Sequence, residues 1–249
     1  MNNIFVKIIN LKKYYQQKNG VVKALDNISF DINKGEVIGL LGINGAGKTT
    51  LSSILATLHP PTGGDIIFKD KSIYKDINEY RKFIGYCPQK PNLIMDLTVK
   101  QNLIFAGKYY GLCKNAIEER FEKLVKKYAL QKYLYETPTS LSGGYKQRVM
   151  IARTLMHQPK FIILDEPTVG LDPHIRHQLW ETIRELKKEE ITILLTTHYI
   201  EEAEILADRI CILDKGKIKL IDTPENLSSI YQKSRLEEVF LQLMHEETE

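Results

Sequence analysis

Few folds are open to a chain that contains "EVIGLLGINGAGKTT", Glu36–Thr50. Glu36 to Gly42 is an apolar run ending in glycine, the pattern of a strand buried on both faces. Gly42 to Thr49 then fits G-x-x-x-x-G-K-[ST], and a helix is expected from about Gly47 toward Leu58. A glycine-rich turn between buried strand and helix is a phosphate cradle. Glycines let backbone N–H groups converge on anionic oxygens with no Cβ in the way. The helix N-terminus adds partial positive charge. Gly42, Asn44, Gly45, Ala46, Gly47 and Thr50 line such a cradle; Lys48 can reach β- and γ-phosphates, and the Thr49 hydroxyl can ligate Mg2+.

The rest of the chain alternates strand and helix. Ala24–Ile32 reads as a strand with Leu25, Ile28, Phe30 and Ile32 inward. "PPTGG" is turn chemistry, and short strands follow at Asp65–Phe68 and Ile84–Cys87. From Thr98 to Leu130 the pattern is helical, with Ile117, Phe121, Leu124, Val125 and Tyr128 on one stripe. "FIILDE" and "ITILLTTH" read as buried strands, Pro173 to about Glu190 and "YIEEAEILA" as helices. "RICILD" and "KIKLI" form a hairpin about Lys215-Gly216, and "SRLEEVFLQLM" a short amphipathic helix. This order implies an α/β fold with a mainly parallel sheet covered on both faces.

Two carboxylates end "FIILDE". Asp165 and Glu166 emerge at the C-terminal end of a central strand, the edge where open α/β sheets bind ligands. Asp165 can hold Mg2+, directly or through water, and Glu166 can polarise a water that attacks a γ-phosphate. His198 ends the next strand and reaches the same edge; it is either structural or a γ-phosphate sensor that positions Glu166. Gln89, after the strand Ile84–Cys87, can touch both Mg2+ and the attacking water, though a loop glutamine is commonly just solvated. A second helix start suited to anions, "SLSGGYKQR", lies a hundred residues beyond the first. One cradle suffices for one nucleotide, so this one needs another explanation.

Composition removes several classes. With 249 residues, 43% hydrophobic and 27% charged, the chain can bury a core and does not read as disordered. The net charge of +4 is scattered, so no nucleic-acid partner is expected. Cys87, Cys113 and Cys211 are far apart and form no zinc pattern. The N-terminus is apolar only in patches and is no secretory signal. No apolar run approaches the roughly 20 residues of a membrane span, so any work at a membrane goes through a partner.

Together these residues resemble the ATP-binding cassette (ABC) ATPases, from about residue 4 to 244. The likeness lies in order: P-loop at Gly42–Thr49, Gln89, "LSGGYKQ" at Leu141–Gln147, "FIILDE" at Phe161–Glu166, "GLD" at Gly170–Asp172, and His198. The resemblance implies a P-loop NTPase core with an N-terminal antiparallel β subdomain and an α-helical subdomain carrying the signature. It implies a single ABC ATPase domain: a core of residues 1–88 and 159–223, a helical part at 89–158 and a tail at 224–249. The expected cofactors are ATP and Mg2+, with Thr49, Gln89 and Asp165 at the metal and Glu166, His198 and Gln89 in hydrolysis. In this family two cassettes pair head to tail, and each ATP lies between one P-loop and the partner's LSGG. Ser142, Gly143, Gly144 and Asp172 would therefore contact the partner's nucleotide. Tyr15 stands where the family stacks an aromatic on adenine, with Tyr14 as its neighbour.

The resemblance further implies a homodimer, or a pair of cassettes, working with a separate transmembrane permease at the cytoplasmic face of the cell membrane. "TTHYIEEAEILADRI" and "RLEEVFLQL" resemble bacterial exporters of drugs, antibiotics and polysaccharides. An importer ATPase, or a soluble cassette acting on ribosomes or DNA, is the alternative. Pro91, Leu93, Ile94, Met95 and Leu97 form an apolar patch where the family docks its membrane subunit. Gln101 stands where many relatives have Glu.

Overall fold

The computed structural model describes residues 3–18, 20–231 and 236–245. In chain order the elements are β1 (Ile4–Gln17), β2 (Gly20–Asn33), β3 (Val37–Leu41), α1 (Lys48–Leu55), β4 (Gly63–Phe68), β5 (Lys71–Ser72), α2 (Ile77–Arg81), β6 (Ile84–Cys87), α3 (Val99–Tyr109), α4 (Lys114–Lys127), α5 (Gly143–Thr154), β7 (Phe161–Asp165), α6 (Pro173–Lys188), β8 (Thr192–Thr197), α7 (Ile200–Leu206), β9 (Arg209–Asp214), β10 (Lys217–Asp222), α8 (Pro224–Ile230) and α9 (Leu236–His245).

They build two sheets. One has the order β2-β1-β4-β5 and is antiparallel; the other runs β10-β9-β3-β8-β7-β6. In the second, β9, β3, β8, β7 and β6 are parallel, and β10 folds back on β9 as a hairpin. Its turn is Lys215-Gly216, both at positive φ, as a two-residue hairpin requires.

The continuous apolar runs are strands buried on both faces. Phe161 and Ile163 of β7 enter one core, with α1 and the antiparallel sheet. Ile162 and Leu164 enter the other, with α3, α4, α5 and α6. Each such side chain contributes about 1.5–3 kcal/mol by burial. A charge at Ile163 would therefore break both the strand and its contact with the antiparallel sheet. A third core packs α7, α8 and α9 against Leu41, Ile210 and Ile212.

Three elements differ from the sequence expectation, each for a local reason. The N-terminal patches belong to β1, whose alternation is interrupted. Val6 and Ile8 point inward, Asn10 turns to φ 47°, and Leu11 then takes the inward phase. Asn27, at φ 64°, does the same between Leu25 and Ile28 of β2. Such bulges reset the two-residue period. Helix α1 stops at Leu55 rather than near Leu58, because Thr57 is left-handed. The helical stretch 98–130 is two helices, parted by Gly111 at φ 75°. Gln101 closes a capping box with Thr98 at the start of α3, so its amide already has an intramolecular role. Ser234 and Arg235, expected to open the last helix, lie outside the described residues.

The apolar patch at 91–97 is also divided. Leu93 is buried in the core beside Val99 and Leu103, whereas Met95 is 42% exposed. Of the five expected docking residues, Leu93 is thus packing that covers the first turn of α3, Ile94 and Leu97 are half-buried, and Pro91 and Met95 stay exposed.

Candidate active site

The order β3-β8-β7-β6 sets four strand ends side by side. From them come the P-loop, His198, Asp165-Glu166 and Gln89. The crevice lies where β3 and β7 are separated by β8, a switch point of the kind where α/β sheets bind ligands. A cleft of about 820 Å3 opens there, lined by Asn44, Gly45, Gly47, Lys48, Thr49 and Thr50 on one side. Gln89, Glu166 and His198 line the other.

Gly47 caps α1 with φ 111°, and a Cβ on it would lie 2.5 Å from the Ala24 carbonyl oxygen. No other residue fits that backbone. Ala46 is buried, its carbonyl accepting from Gly216 N–H at 2.9 Å, so the hairpin turn braces the loop. Lys48 is 4% exposed. Its Nζ donates to the carbonyls of Gly42 at 2.8 Å and Ile43 at 3.1 Å, and lies 3.2 Å from Glu166 Oε1.

Glu166 is the hub. Its backbone is left-handed, φ 46°, unusual for a non-glycine residue and a mark of functional positions. Its N–H donates to Thr196 Oγ1 at 2.9 Å, which holds that conformation. Oε2 accepts from Gln89 Nε2 at 3.0 Å and lies 3.3 Å from His198 Nδ1. The geometry thus joins Lys48, Gln89 and His198 around the Glu166 carboxylate.

Asp165 sits one layer deeper. Its Oδ1 accepts from the Thr196 hydroxyl at 2.6 Å and Oδ2 from the Tyr86 hydroxyl at 3.3 Å. Burial pushes its pKa up, and these hydroxyls together with that of Thr49 pull it back. Thr196 and Tyr86 went unnoticed in the sequence. The available signal was a polar residue inside an otherwise apolar strand, two places before His198.

Tyr14 and Tyr15 separate cleanly. The Tyr14 hydroxyl donates to Asp26 at 2.7 Å, which fixes that ring to its own hairpin. Tyr15 is 39% exposed, with Lys13 Nζ 5.2 Å from its ring centre. It pairs with Val22, which lines the cleft, so Tyr15 lies at the rim rather than among the lining residues.

The signature lies elsewhere. No residue of 141–147 lines the cleft. Ser142 occupies the N-cap position of α5 and Asp172 that of α6, yet neither side chain makes a cap hydrogen bond. Both are exposed. A Cβ on Gly144 would meet Ile175 of α6 at 2.9 Å, so that glycine serves packing within the chain. One on Gly143 would meet only Leu171, at an ordinary 3.7 Å, so internal packing does not require that glycine. Ser142, Gly143 and Asp172 thus form one exposed edge, where α5 and α6 start together.

Residues 25–169 match the ABC transporter family. The chain belongs to that family. It is 36% identical over 240 residues to the Nod factor export ATP-binding protein I of Rhizobium sp. (strain N33), covering 96% of this chain and 78% of that one. It is 40% identical over 220 residues to a linearmycin resistance ATP-binding protein of Bacillus subtilis (strain 168), covering 88% and 70%. Among solved structures, an ATP-binding subunit of an ABC transporter superposes with a TM-score of 0.86 at 30% identity, covering 96% of this chain and 99% of that one. A dimeric ATP-binding cassette in a post-hydrolysis state, bound to ADP and Pi, gives 0.80 at 28% identity, covering 88% and 98%. The cassette described here is therefore an ABC ATPase. Among its described residues no helix is long and apolar enough to cross a membrane.

Proposed function

We propose that this cassette powers export: two copies close head to tail on ATP, and hydrolysis reopens them against a separate membrane permease. The observation that carries the pairing is the split between the two anion-friendly helix starts. The cleft holds Lys48 and Glu166, while Ser142, Gly143 and Asp172 lie outside it with free polar groups. In the closed pair, the Ser142 hydroxyl and the N-terminus of α5 face the partner's γ-phosphate. Glu166 takes the proton of the attacking water, held by Gln89 and His198, and Lys48 transfers from the loop carbonyls to the phosphates. Tyr15 stacks on the base at the rim. The core (1–88 and 159–223) hydrolyses, the helical part (89–158) presents the signature, and within the tail (224–249) the described helices α8 and α9 pack on the core.

The donor set at the metal position is a carboxylate, a hydroxyl and an amide oxygen, which suits Mg2+ rather than a softer metal. Thr49 and Gln89 would hold it directly. Asp165, whose oxygens already accept hydroxyls, would hold it through water. Bound there, Mg2+ neutralises charge on the phosphates.

The permease reading is supported by a groove of about 600 Å3 between core and helical part, lined by Leu58, Arg81, Phe105, Tyr109, Tyr110 and Arg153. Phe105, Tyr109 and Leu58 expose 44%, 72% and 55% of their surface, an apolar centre with a basic rim. Asn92 also lines it, which links the groove to the exposed Met95. The relatives named for export support the direction, and such an assembly places the cassette at the cytoplasmic face of the membrane.

Ser142→Arg tests the pairing. ATP affinity of the isolated chain should stay at the wild-type value and hydrolysis should vanish. A loss of ATP affinity in the isolated chain would place the signature in its own site and overturn the reading.

A further inference from the structure

Glu202, on α7, has no solvent exposure at all, and nothing above gives it a role. A buried carboxylate is costly unless donors surround it. Here they do. Trp180 Nε1–H donates to Oε1 at 2.9 Å, and the Thr168 hydroxyl donates to Oε2 at 3.1 Å. The Thr197 hydroxyl accepts from the Tyr199 N–H at 2.9 Å, where the chain passes from β8 into α7. Burial pushes the Glu202 pKa up, and these donors with nearby Arg176 pull it back. Arg176 itself lies over the Tyr199 ring, 4.4 Å from its centre.

The placement of the donors carries the argument. Thr168 stands between Glu166 and Asp172 in the connection from β7 to α6. Glu202 itself stands four residues after His198, on the helix that follows β8. Trp180 belongs to α6, the helix that starts at Asp172 and sets Ile175 beneath Gly144. One carboxylate thus ties together the strand end bearing His198, the turn following Glu166, and the helix that frames the edge offered to the partner. Stability alone does not explain it, since well-packed apolar residues commonly replace buried charged networks at no cost. A network of directed bonds fixes angles, which apolar packing does less sharply.

We propose that Glu202 is a positioning residue that locks the catalytic pair Glu166 and His198 in register with the Asp172–Gly143 edge of the same cassette. The inference rests on the head-to-tail reading, in which both faces must be correct at once for either ATP to be hydrolysed. Misplacement by about 1 Å costs on the order of a hundredfold in rate.

The test compares Glu202→Ala, Glu202→Gln and Thr168→Val as purified full chains. Trp180 is the sole tryptophan, so its emission reports the bond directly. Glu202→Ala should shift that emission and leave ATP affinity within about twofold, while kcat falls by roughly tenfold to a hundredfold. Glu202→Gln should recover most of kcat, because its amide still accepts from Trp180 and a threonine hydroxyl can reverse to accept from it. Wild-type kcat in Glu202→Ala overturns the proposal. So does a loss of ATP affinity in step with kcat, or a Gln variant as slow as Ala. If Glu202→Ala does not fold, Thr168→Val decides: a fall in kcat at constant ATP affinity supports the lock, and unchanged kcat removes it. ATP-dependent dimerisation of Glu166→Gln, followed in parallel by light scattering, separates the two readings. If that variant never dimerises, the head-to-tail premise fails; if it dimerises and Glu202→Ala turns over normally, only the lock fails.

Discussion

Replacing Glu166 by Gln should nearly abolish hydrolysis while strengthening ATP binding. The substitution keeps the volume of a side chain that is 8% exposed, so the fold should hold. It removes the only carboxylate among the described residues that contacts both Gln89 and His198, and with it the proposed base. General-base catalysis is worth roughly 10²–10⁴-fold, or about 3–5.5 kcal/mol of barrier. The effect on binding has the opposite sign. In the wild type, Lys48 Nζ lies 3.2 Å from Glu166 Oε1 and must loosen that pair to reach phosphate. The amide still accepts from the Lys48 ammonium but no longer opposes its charge; hydrogen bonds to charged groups span about 1.5–3 kcal/mol, and a move from the upper to the lower part of that range releases Lys48 at about 1 kcal/mol less. That corresponds to roughly fivefold tighter ATP. Losing a negative charge beside the γ-phosphate also favours closure of the pair. Phosphate release measures turnover, calorimetry with ATP and Mg2+ measures affinity, and light scattering measures dimerisation. Turnover within about fivefold of wild type would refute Glu166 as the base. Weaker ATP binding would refute the competition between Glu166 and phosphate for Lys48.

Lys48→Ala should lose both ATP affinity and turnover, since it removes charge-assisted contacts worth about 1.5–3 kcal/mol each; near-normal phosphate release would move the site elsewhere. Leu93→Asp places a carboxylate in the core and should lower the urea midpoint steeply, by several kcal/mol in stability. Met95→Asp, at an exposed site, should change stability within about 0.5 kcal/mol yet weaken co-purification with the proposed permease. Equal midpoints for the two would contradict their different burial. His157 packs flat against Tyr110, its Nε2–H donates to the Ile84 carbonyl at 2.8 Å, and burial pushes its pKa down to about 4. The folded chain therefore keeps it neutral where the unfolded chain, with a pKa near 6.5, takes a proton. Its contribution is complete above about pH 6.5 and is lost as pH falls toward about 4, up to about 3 kcal/mol. Urea unfolding at neutral and acid pH should show a smaller acid loss in His157→Gln; an equal loss would assign the acid sensitivity to other groups.

Local sequence determined the pieces of this cassette because local physics suffices for them. Gly47 must be glycine where the chain runs against Ala24, and Lys48 follows it into the first turn of α1. Continuous apolar runs such as "FIILD" could only be strands buried on both faces. The order of P-loop, Gln89, LSGG, Asp165-Glu166 and His198 identified the family before any coordinate. Where a bulge resets the period, as at Asn10 and Asn27, the pattern loses its phase and β1 vanished into patches. Only the tertiary structure decided which groups touch. Strand order is a non-local choice, and it set β8 between β3 and β7, bringing Thr196 under Asp165 and His198 beside Glu166. It likewise divided the 91–97 patch into buried Leu93 and exposed Met95, tied Tyr14 to Asp26 and left Tyr15 at the rim. Glu202 reads in sequence as one more acid on a helix. It acquires meaning only because α6, α7 and the connection after β7 converge on it, a contact between segments that no local pattern encodes.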